Sequence, residues 1–428
     1  MANTIYHVAK DGLCTGCGTC AALCPRNAIA IKMDERRGIY APKLDVAKCS
    51  NCGLCYKVCP GHEVNFKALN IEVFGKEAKD ILIGNYIDCY YGYSTDYDIR
   101  YNCASGGLVT QMLVFALEER IIDGVLVTRM RKDRPLEPEP FIARTRDEII
   151  AASKSKYCPV PLNIAIKEIL DIDGRYAVVG LPCHIHGMIK AETINDKLKQ
   201  RIVLHLGIWC STTCNFHATE FILKRLGVSK EDVKELDYRG EGWPGGMSIH
   251  LKDSAKRFVA LVKYWDLNFS SFAPYRCRLC SDANAELADI SFGDYRGHDM
   301  LLHENIGVSG IISRTDTGEA ILQKMHSKQK IEIWKISCHD VASLQSYFYS
   351  KKYINARFLL LRFFGKKIPH YNQQLLSPPL NSYLFEIILN IPVSFLASRQ
   401  CLWEALLIYT YIYRNLYGSM SYLKSKLI

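Results

Sequence analysis

Eight cysteines near the amino terminus repeat one spacing: Cys14, Cys17, Cys20 and Cys24 precede Pro25, and Cys49, Cys52, Cys55 and Cys59 precede Pro60. Thiolates spaced C-x2-C-x2-C-x3-C-P wrap one face of a [4Fe–4S] cube with their first three members. The fourth, carried past the local turn, reaches the neighbouring cube. The spacing therefore assigns Cys14, Cys17, Cys20 and Cys59 to one cluster, and Cys24, Cys49, Cys52 and Cys55 to the other. A zinc site or a disulfide knot is the competing use of clustered cysteines, but neither calls for four thiols per run with a trailing proline. One-electron transfer is the chemistry expected of this segment.

Further along, three loops hold residues suited to a phosphorylated cofactor. Ala104-Ser105-Gly106-Gly107 stands before an apolar helical run starting at Leu108. A helix amino terminus offers unpaired N–H groups to a phosphate, although a Gly-Gly pair is more often a plain turn. Lys154-Ser155-Lys156-Tyr157 gathers two cations, a hydroxyl and a ring, which could grip a pyrophosphate or form a solvated charged loop. Gly180-Leu181-Pro182-Cys183-His184-Ile185-His186 reads as a strand end turning into a helix, with a thiol at the bend. Cys210 and Cys214 follow, then Cys277 and Cys280 as a C-x2-C pair. Such a pair with distant thiols suits four-thiolate metal ligation, and a redox-active or merely buried dithiol is the other reading.

These loops need a scaffold. The chain has 428 residues, 49% hydrophobic and 23% charged, enough for two or three domains with a large core. Strand-like runs at Cys89–Tyr93, Gly124–Thr128, Tyr176–Gly180 and Ile202–Gly207 alternate with helical ones, which predicts an α/β body with a mixed sheet and its active loops at strand ends. The fold class expected is α+β to α/β, divided into a bacterial-type ferredoxin domain at 1–66, a linker at 67–88, the α/β domain at 89–345 and a helical extension at 346–428. Asp34-Glu35-Arg36-Arg37-Gly38 reads as the turn between the two ferredoxin halves. Eighteen cysteines and no signal peptide point to a reducing, cytoplasmic setting.

The net charge of +10 sits mostly in the extension, where ten Lys and Arg face only Glu386 and Glu404, a net +8. Basic residues mixed with apolar runs read as contact with a membrane periphery or an acidic partner rather than nucleic acid. A helical cap packed on the main domain is the alternative.

The order of these motifs resembles the beta subunit family of coenzyme F420 hydrogenases and dehydrogenases. The likeness runs from Cys14 to about Ser350 and includes Cys277-Arg278-Leu279-Cys280 through Ala288-Asp289-Ile290-Ser291-Phe292-Gly293-Asp294. It implies FAD in the α/β body, contacted by Ser105, Gly106, Gly107, Ser155, Lys156 and Tyr157. It also implies a third [4Fe–4S] cluster on Cys183, Cys210, Cys277 and Cys280, with Cys214 competing for the place of Cys210. The expected activity is that of an oxidoreductase converting one-electron transfer into hydride exchange at FAD, with coenzyme F420 as the diffusible partner. His184, His186 and Lys156 are the candidates for proton delivery or for charge near the flavin. The expected partners are a ferredoxin or redox subunit and a small hydride donor or acceptor. Alternatives are a ferredoxin-dependent reductase of another unsaturated substrate, and a non-catalytic electron-transfer subunit.

Overall fold

Apolar side chains on the central strands point alternately to two helical layers, so the sheet is buried on both faces. The computed structural model describes residues 3–266, 269–295 and 306–412. Eight strands form one mixed sheet in the order Ile331–Ile336, Asp88–Ser94, Ser309–Ser313, Ile290–Asp294, Ile202–Ile208, Tyr176–Gly180, Gly124–Met130, Pro138–Ala143. The strands starting at Ile290, Ile202, Tyr176 and Gly124 pair in parallel, and those outside them pair antiparallel. Period-two alternation sends Val125, Val127 and Ala177 towards the helices Leu108–Glu118 and Asp316–Ser327. Leu126 and Val178 face Ile166–Asp171 and Pro182–Glu192. The expected fold class is met.

A three-stranded antiparallel sheet, ordered Lys256–Ala260, Gly246–Leu251, Val233–Gly240, was not anticipated from the sequence. With the helix Phe216–Arg225 it encloses a second core around Phe221, Tyr238 and Phe272. The ferredoxin unit is a pseudo-symmetric pair of short helices, Thr19–Ala22 and Leu54–Lys57, joined by the hairpin Ile29–Asp34 and Ile39–Leu44. The hairpin turns at the expected Asp34–Gly38.

The stretch 67–88, expected as a linker, is itself packed: the helix Phe66–Phe74 buries Phe66 and Leu69, and Asn85 donates to Asn70 Oδ1 across 2.9 Å. The extension packs on the main body as the helical cap given as the alternative, its inner side completing two cores. Ile354 and Phe358 pack on the ferredoxin residues Ile5, Val8 and Leu13. His370–Tyr371 pairs in parallel with Glu63–Val64, and Val393, Ala397, Trp403 and Leu406 enter the second core. Lys351 and Lys352, counted from sequence as surface charge, are buried. Arg414, Lys424 and Lys426 lie outside the described residues. Among the described residues no helix is long and apolar enough to cross a membrane. Cys89 and Cys338 form a disulfide, an exception to the expectation of free thiols.

Candidate functional site: thiol sets and a cavity

Each cysteine run bends around residues in the left-handed region. Gly16 (φ +73°) and Gly18 (φ +92°) match Asn51 (φ +55°) and Gly53 (φ +73°) in the second run. These turns aim backbone amides at sulfur: Gly16 N–H donates to Cys14 Sγ and Gly61 N–H to Cys59 Sγ, both at 3.3 Å, and Asn51 N–H to Cys49 Sγ at 3.4 Å. Such donors stabilise the reduced, more negative state of a cluster. Burial first, then the neighbouring Cys59, pushes the Cys14 thiol up to about 12. Cys20 is likewise raised by burial and by Cys14, Cys59 and Cys17. Cys55 instead feels Cys52 and Cys24, after burial. The two runs are electrostatic neighbours: Cys59 acts on Cys14 and Cys20, Cys55 also acts on Cys20, and Cys24 acts on Cys55.

The first set is welded to the α/β body. Asn163 N–H donates to Cys17 O at 2.8 Å, and its amide side chain reaches Thr19 Oγ1 and His184 O. Arg276 Nε donates to Gly61 O at 2.7 Å, and Lys190 Nζ holds Cys59 O and Glu63 O. The second set lies towards solvent, with Cys52 exposed.

A third set forms where distant elements meet. Cys183 begins the helix Pro182–Glu192, Cys210 follows the strand Ile202–Ile208, and Cys277 and Cys280 bracket a single 3-10 turn. All four line a cavity of about 50 Å³ together with Cys14, Arg276 and Lys351. Burial raises the Cys183 thiol, and Cys277, Cys17, Cys210 and Cys280 add to it, so this set and the first are electrostatic neighbours. Burial opposes the Lys351 ammonium, but Cys280, Cys210 and Cys277 outweigh it and hold its pKa above the ordinary value. Cys214 lines neither cavity: it is buried in the second core, where its S–H donates to Phe269 O at 3.3 Å, although Cys277 and Cys210 are close enough to raise its thiol further after burial. Among the described residues no three His, Cys, Asp or Glu side chains gather tightly enough for a single metal ion.

The second cavity, about 350 Å³, is where the loops singled out in the sequence converge. Ser105, Gly107, Ser155, Lys156, Tyr157 and His184 all line it, as does Cys210. Gly106 does not. Its N–H is spent on Ser309 Oγ at 3.0 Å, and a Cβ there would strike Gly92 O and Ser309 N, so packing on the sheet explains this glycine. Trp209 lies over Gly293 and Gly310, whose missing side chains make room for the indole, and its Nε1 donates to Ser291 Oγ at 3.1 Å.

The proton-delivery candidates have other engagements. Lys156 Nζ donates to the carbonyls of Ala152, Ser153 and Lys154, and burial lowers it to about 8. His184 Nδ1 accepts from Leu181 N–H at 3.2 Å, which leaves Nε2 to donate to Val160 O at 3.0 Å; burial lowers the ring to about 4. A neutral imidazole with both nitrogens occupied is a wedge between two loops rather than a proton carrier. His186 Nε2 bonds Asp282 Oδ2 at 2.8 Å beside the third thiol set.

Sequence reasoning missed Arg239. Its guanidinium donates to Tyr157 Oη at 3.0 Å, to Asp294 Oδ2 at 3.2 Å and to Ala104 O, while its buried Nε has no partner among the described residues. One cation thereby ties together three walls of the larger cavity. Lys351 was missed as well. Nothing in the local pattern of either residue signals a site.

This architecture, a dicluster ferredoxin unit fused to a doubly layered α/β body with a large cavity at the strand ends, defines an iron–sulfur redox subunit. Residues 13–62 match the 4Fe-4S dicluster domain. Residues 89–167 and 173–338 match the N-terminal and C-terminal parts of the coenzyme F420 hydrogenase/dehydrogenase beta subunit. The chain is 30% identical over 255 residues to coenzyme F420 hydrogenase subunit beta of Methanothermobacter thermautotrophicus, covering 57% of this chain and 83% of that one. It is 26% identical over 347 residues to the coenzyme F420-dependent sulfite reductase of Methanocaldococcus jannaschii, covering 78% of this chain and 49% of that protein. A chain of the F420-reducing [NiFe] hydrogenase complex from Methanosarcina barkeri shares the fold with a TM-score of 0.54 at 23% identity, over 70% of this chain and 98% of that one. The protein belongs to the coenzyme F420 hydrogenase/dehydrogenase beta subunit family.

Proposed function

We propose that the protein is an oxidoreductase that carries electrons from its ferredoxin unit through a third [4Fe–4S] cluster to FAD in the larger cavity, and exchanges a hydride there with coenzyme F420. The observation that carries this reading is the shared wall. Cys210, Leu181, His184, Thr212 and Thr213 line both the thiol-lined cavity and the larger one. The donor sets fit the groups: four soft thiolates suit an iron–sulfur cube, and the cavity has apolar walls and a buried Arg239 Nε with no partner among the described residues.

FAD, when bound, would supply the conversion between single electrons and a hydride. The chain's own part is placement. Cys52 exposes the second thiol set for electron entry, and Asn163 and Arg276 fix the first set against the body. Lys351 supplies positive charge to the third set. Ser105, Gly107, Ser155 and Tyr157 border the larger cavity, and Trp209 closes its floor. Arg239 can direct its free Nε–H and its charge at an electron-rich ligand edge. Cys210, rather than Cys214, is the fourth ligand of the third cluster in this reading.

Anaerobically purified protein should contain flavin and bleach F420 absorbance when supplied with a low-potential donor. Cys210→Ser should keep its flavin while a donor acting through the ferredoxin unit no longer reduces it. Protein with full iron content and no affinity for flavin would overturn the proposal.

A further inference from the structure

The C-terminal extension carries apolar side chains on both sides. Its inner side is core; on its outer side Phe363 and Phe364 are 84% and 62% exposed, and Ile391, Phe395, Ile408 and Ile412 are exposed with them. The spacing explains the double face. Ile391 and Phe395 are four apart, as are Ile408 and Ile412, while Val393, Ala397 and Leu406 between them point inward. A peripheral helix that is apolar all round is the mark of an element with a second, non-aqueous neighbour.

Contacts tie these segments to one another. Tyr409 Oη bonds Ile388 O, and Trp403 Nε1 donates to Ala397 O at 3.2 Å, which sets residues 403–412 beside the helix Ile391–Ala397. Arg357 pairs with Glu386 and fastens the helix Asn355–Phe363 to the same group. That helix stops at Phe363, and Gly365 (φ +64°) turns the chain between the two phenylalanines and Lys366 and Lys367.

The exposed charge on these segments is mainly positive, with Glu404, 72% exposed, as the exception. Arg362, Lys366, Lys367 and Arg399 are exposed and make no ion pair among the described residues, with Arg399 stacked 3.9 Å over the Phe395 ring. Glu386 is buried against Arg357, and Glu404 pairs with Arg225 at 3.7 Å. Protein interfaces are depleted in lysine. Exposed aromatic and aliphatic side chains flanked by unneutralised cations instead match the boundary of an anionic bilayer, where rings enter the headgroup layer and cations stay at phosphate level. We propose that this face is a docking surface for an anionic lipid bilayer, entered by Phe363 and Phe364 and held by Arg362, Lys366, Lys367 and Arg399.

The test is co-sedimentation of the full-length holoprotein with vesicles of phosphatidylglycerol and phosphatidylcholine, or of phosphatidylcholine alone. Binding should require the anionic lipid. Each of Lys366→Gln and Lys367→Gln should weaken it by about fivefold. The pair Phe363→Ser and Phe364→Ser should abolish it, with iron content unchanged because both side chains lie outside the core. Raising ionic strength from about 0.1 M to about 1 M, which shortens the Debye length from about 10 Å to about 3 Å, should release the protein. Absence of binding, equal binding to both vesicle types, or a dimer that the two Phe substitutions dissolve would each overturn the proposal; the last would make a second copy of the chain the occupant.

Discussion

On the proposed reading that the larger cavity holds FAD, replacing Arg239 with leucine should cost the protein that flavin before it costs its fold. The guanidinium reaches Tyr157 Oη, Asp294 Oδ2 and Ala104 O, each on a different wall of the larger cavity. Burial works against its charge, but Asp294 and Tyr157 outweigh burial and hold its pKa above the ordinary value. Removing one partner of a buried ion pair costs about 3–5 kcal/mol. The Asp294 side chain keeps 21% exposure, so water recovers part of that, and the low end, about 3 kcal/mol, applies. The three acceptors are separate parts of the wall, so the loss falls mainly on how the cavity is organised. About 3 kcal/mol corresponds to roughly a 150-fold weaker flavin affinity. Lysine at this position keeps the charge but cannot span three acceptors, so Arg239→Lys should lose about tenfold. The assay is anaerobic release of flavin followed by its fluorescence, with iron content and thermal midpoint measured on the same samples. Flavin affinity within about twofold of the parent in Arg239→Leu would refute the reasoning, and so would loss of iron together with flavin, which would show a general structural role.

The third thiol set yields a paired comparison: Cys210→Ser should lower iron by about four atoms per chain, whereas Cys214→Ser should leave it unchanged, as iron analysis of anaerobic protein can check. His205 lies between Glu192 Oε1 at 2.8 Å and Asp289 Oδ2 at 3.1 Å; burial would lower its pKa, but the two carboxylates raise it to about 10. A folded pKa above the unfolded one means that this stabilisation is complete below about pH 6.5 and is lost as pH rises through the folded value. His205→Gln should therefore lower the unfolding free energy from urea titration by about 3 kcal/mol in mildly acidic buffer, with the gap to the parent narrowing as pH rises from about 6.5 towards the folded value; a gap independent of pH would contradict it. Trp403 is 4% exposed and meets Phe221 and Phe272 edge-on at 5.4 and 5.5 Å, so Trp403→Ala should destabilise by about 3–5 kcal/mol in the same assay. Truncation after Ser350 should abolish cluster retention, since it removes Lys351 and Phe358 together; a truncated chain with full iron would show that the extension is not needed to complete the ferredoxin core.

Local spacing carried much of this protein in legible form. The two cysteine runs could be read because ligand geometry around a cube fixes the separation of neighbouring thiols along the chain. The strand Tyr176–Gly180 and the helix from Leu108 were also readable, since burial on both faces leaves continuous apolar runs and one buried stripe leaves helical spacing. The larger cavity's loops were found because each sits where a strand or turn meets a helix. What the sequence left open was every choice between residues close in the chain but pointed apart. Cys210 and Cys214 are four residues distant, yet one faces two cavities and the other the second core, a difference set by where the strand Ile202–Ile208 ends and where Phe269 packs. Arg239 arrives from a sheet whose pairing with the rest of the chain no local pattern records. The charge of the extension's lysines left contact with an anionic surface and packing on the main body both open, and Lys351 and Lys352 are buried: a cation leaves water when acceptors from remote segments, here Asp282 O and Glu286, meet it. Short-range spacing is determined by the chemistry of a single segment, whereas burial of polar groups and the facing of a side chain are settled only when segments distant in sequence close around them.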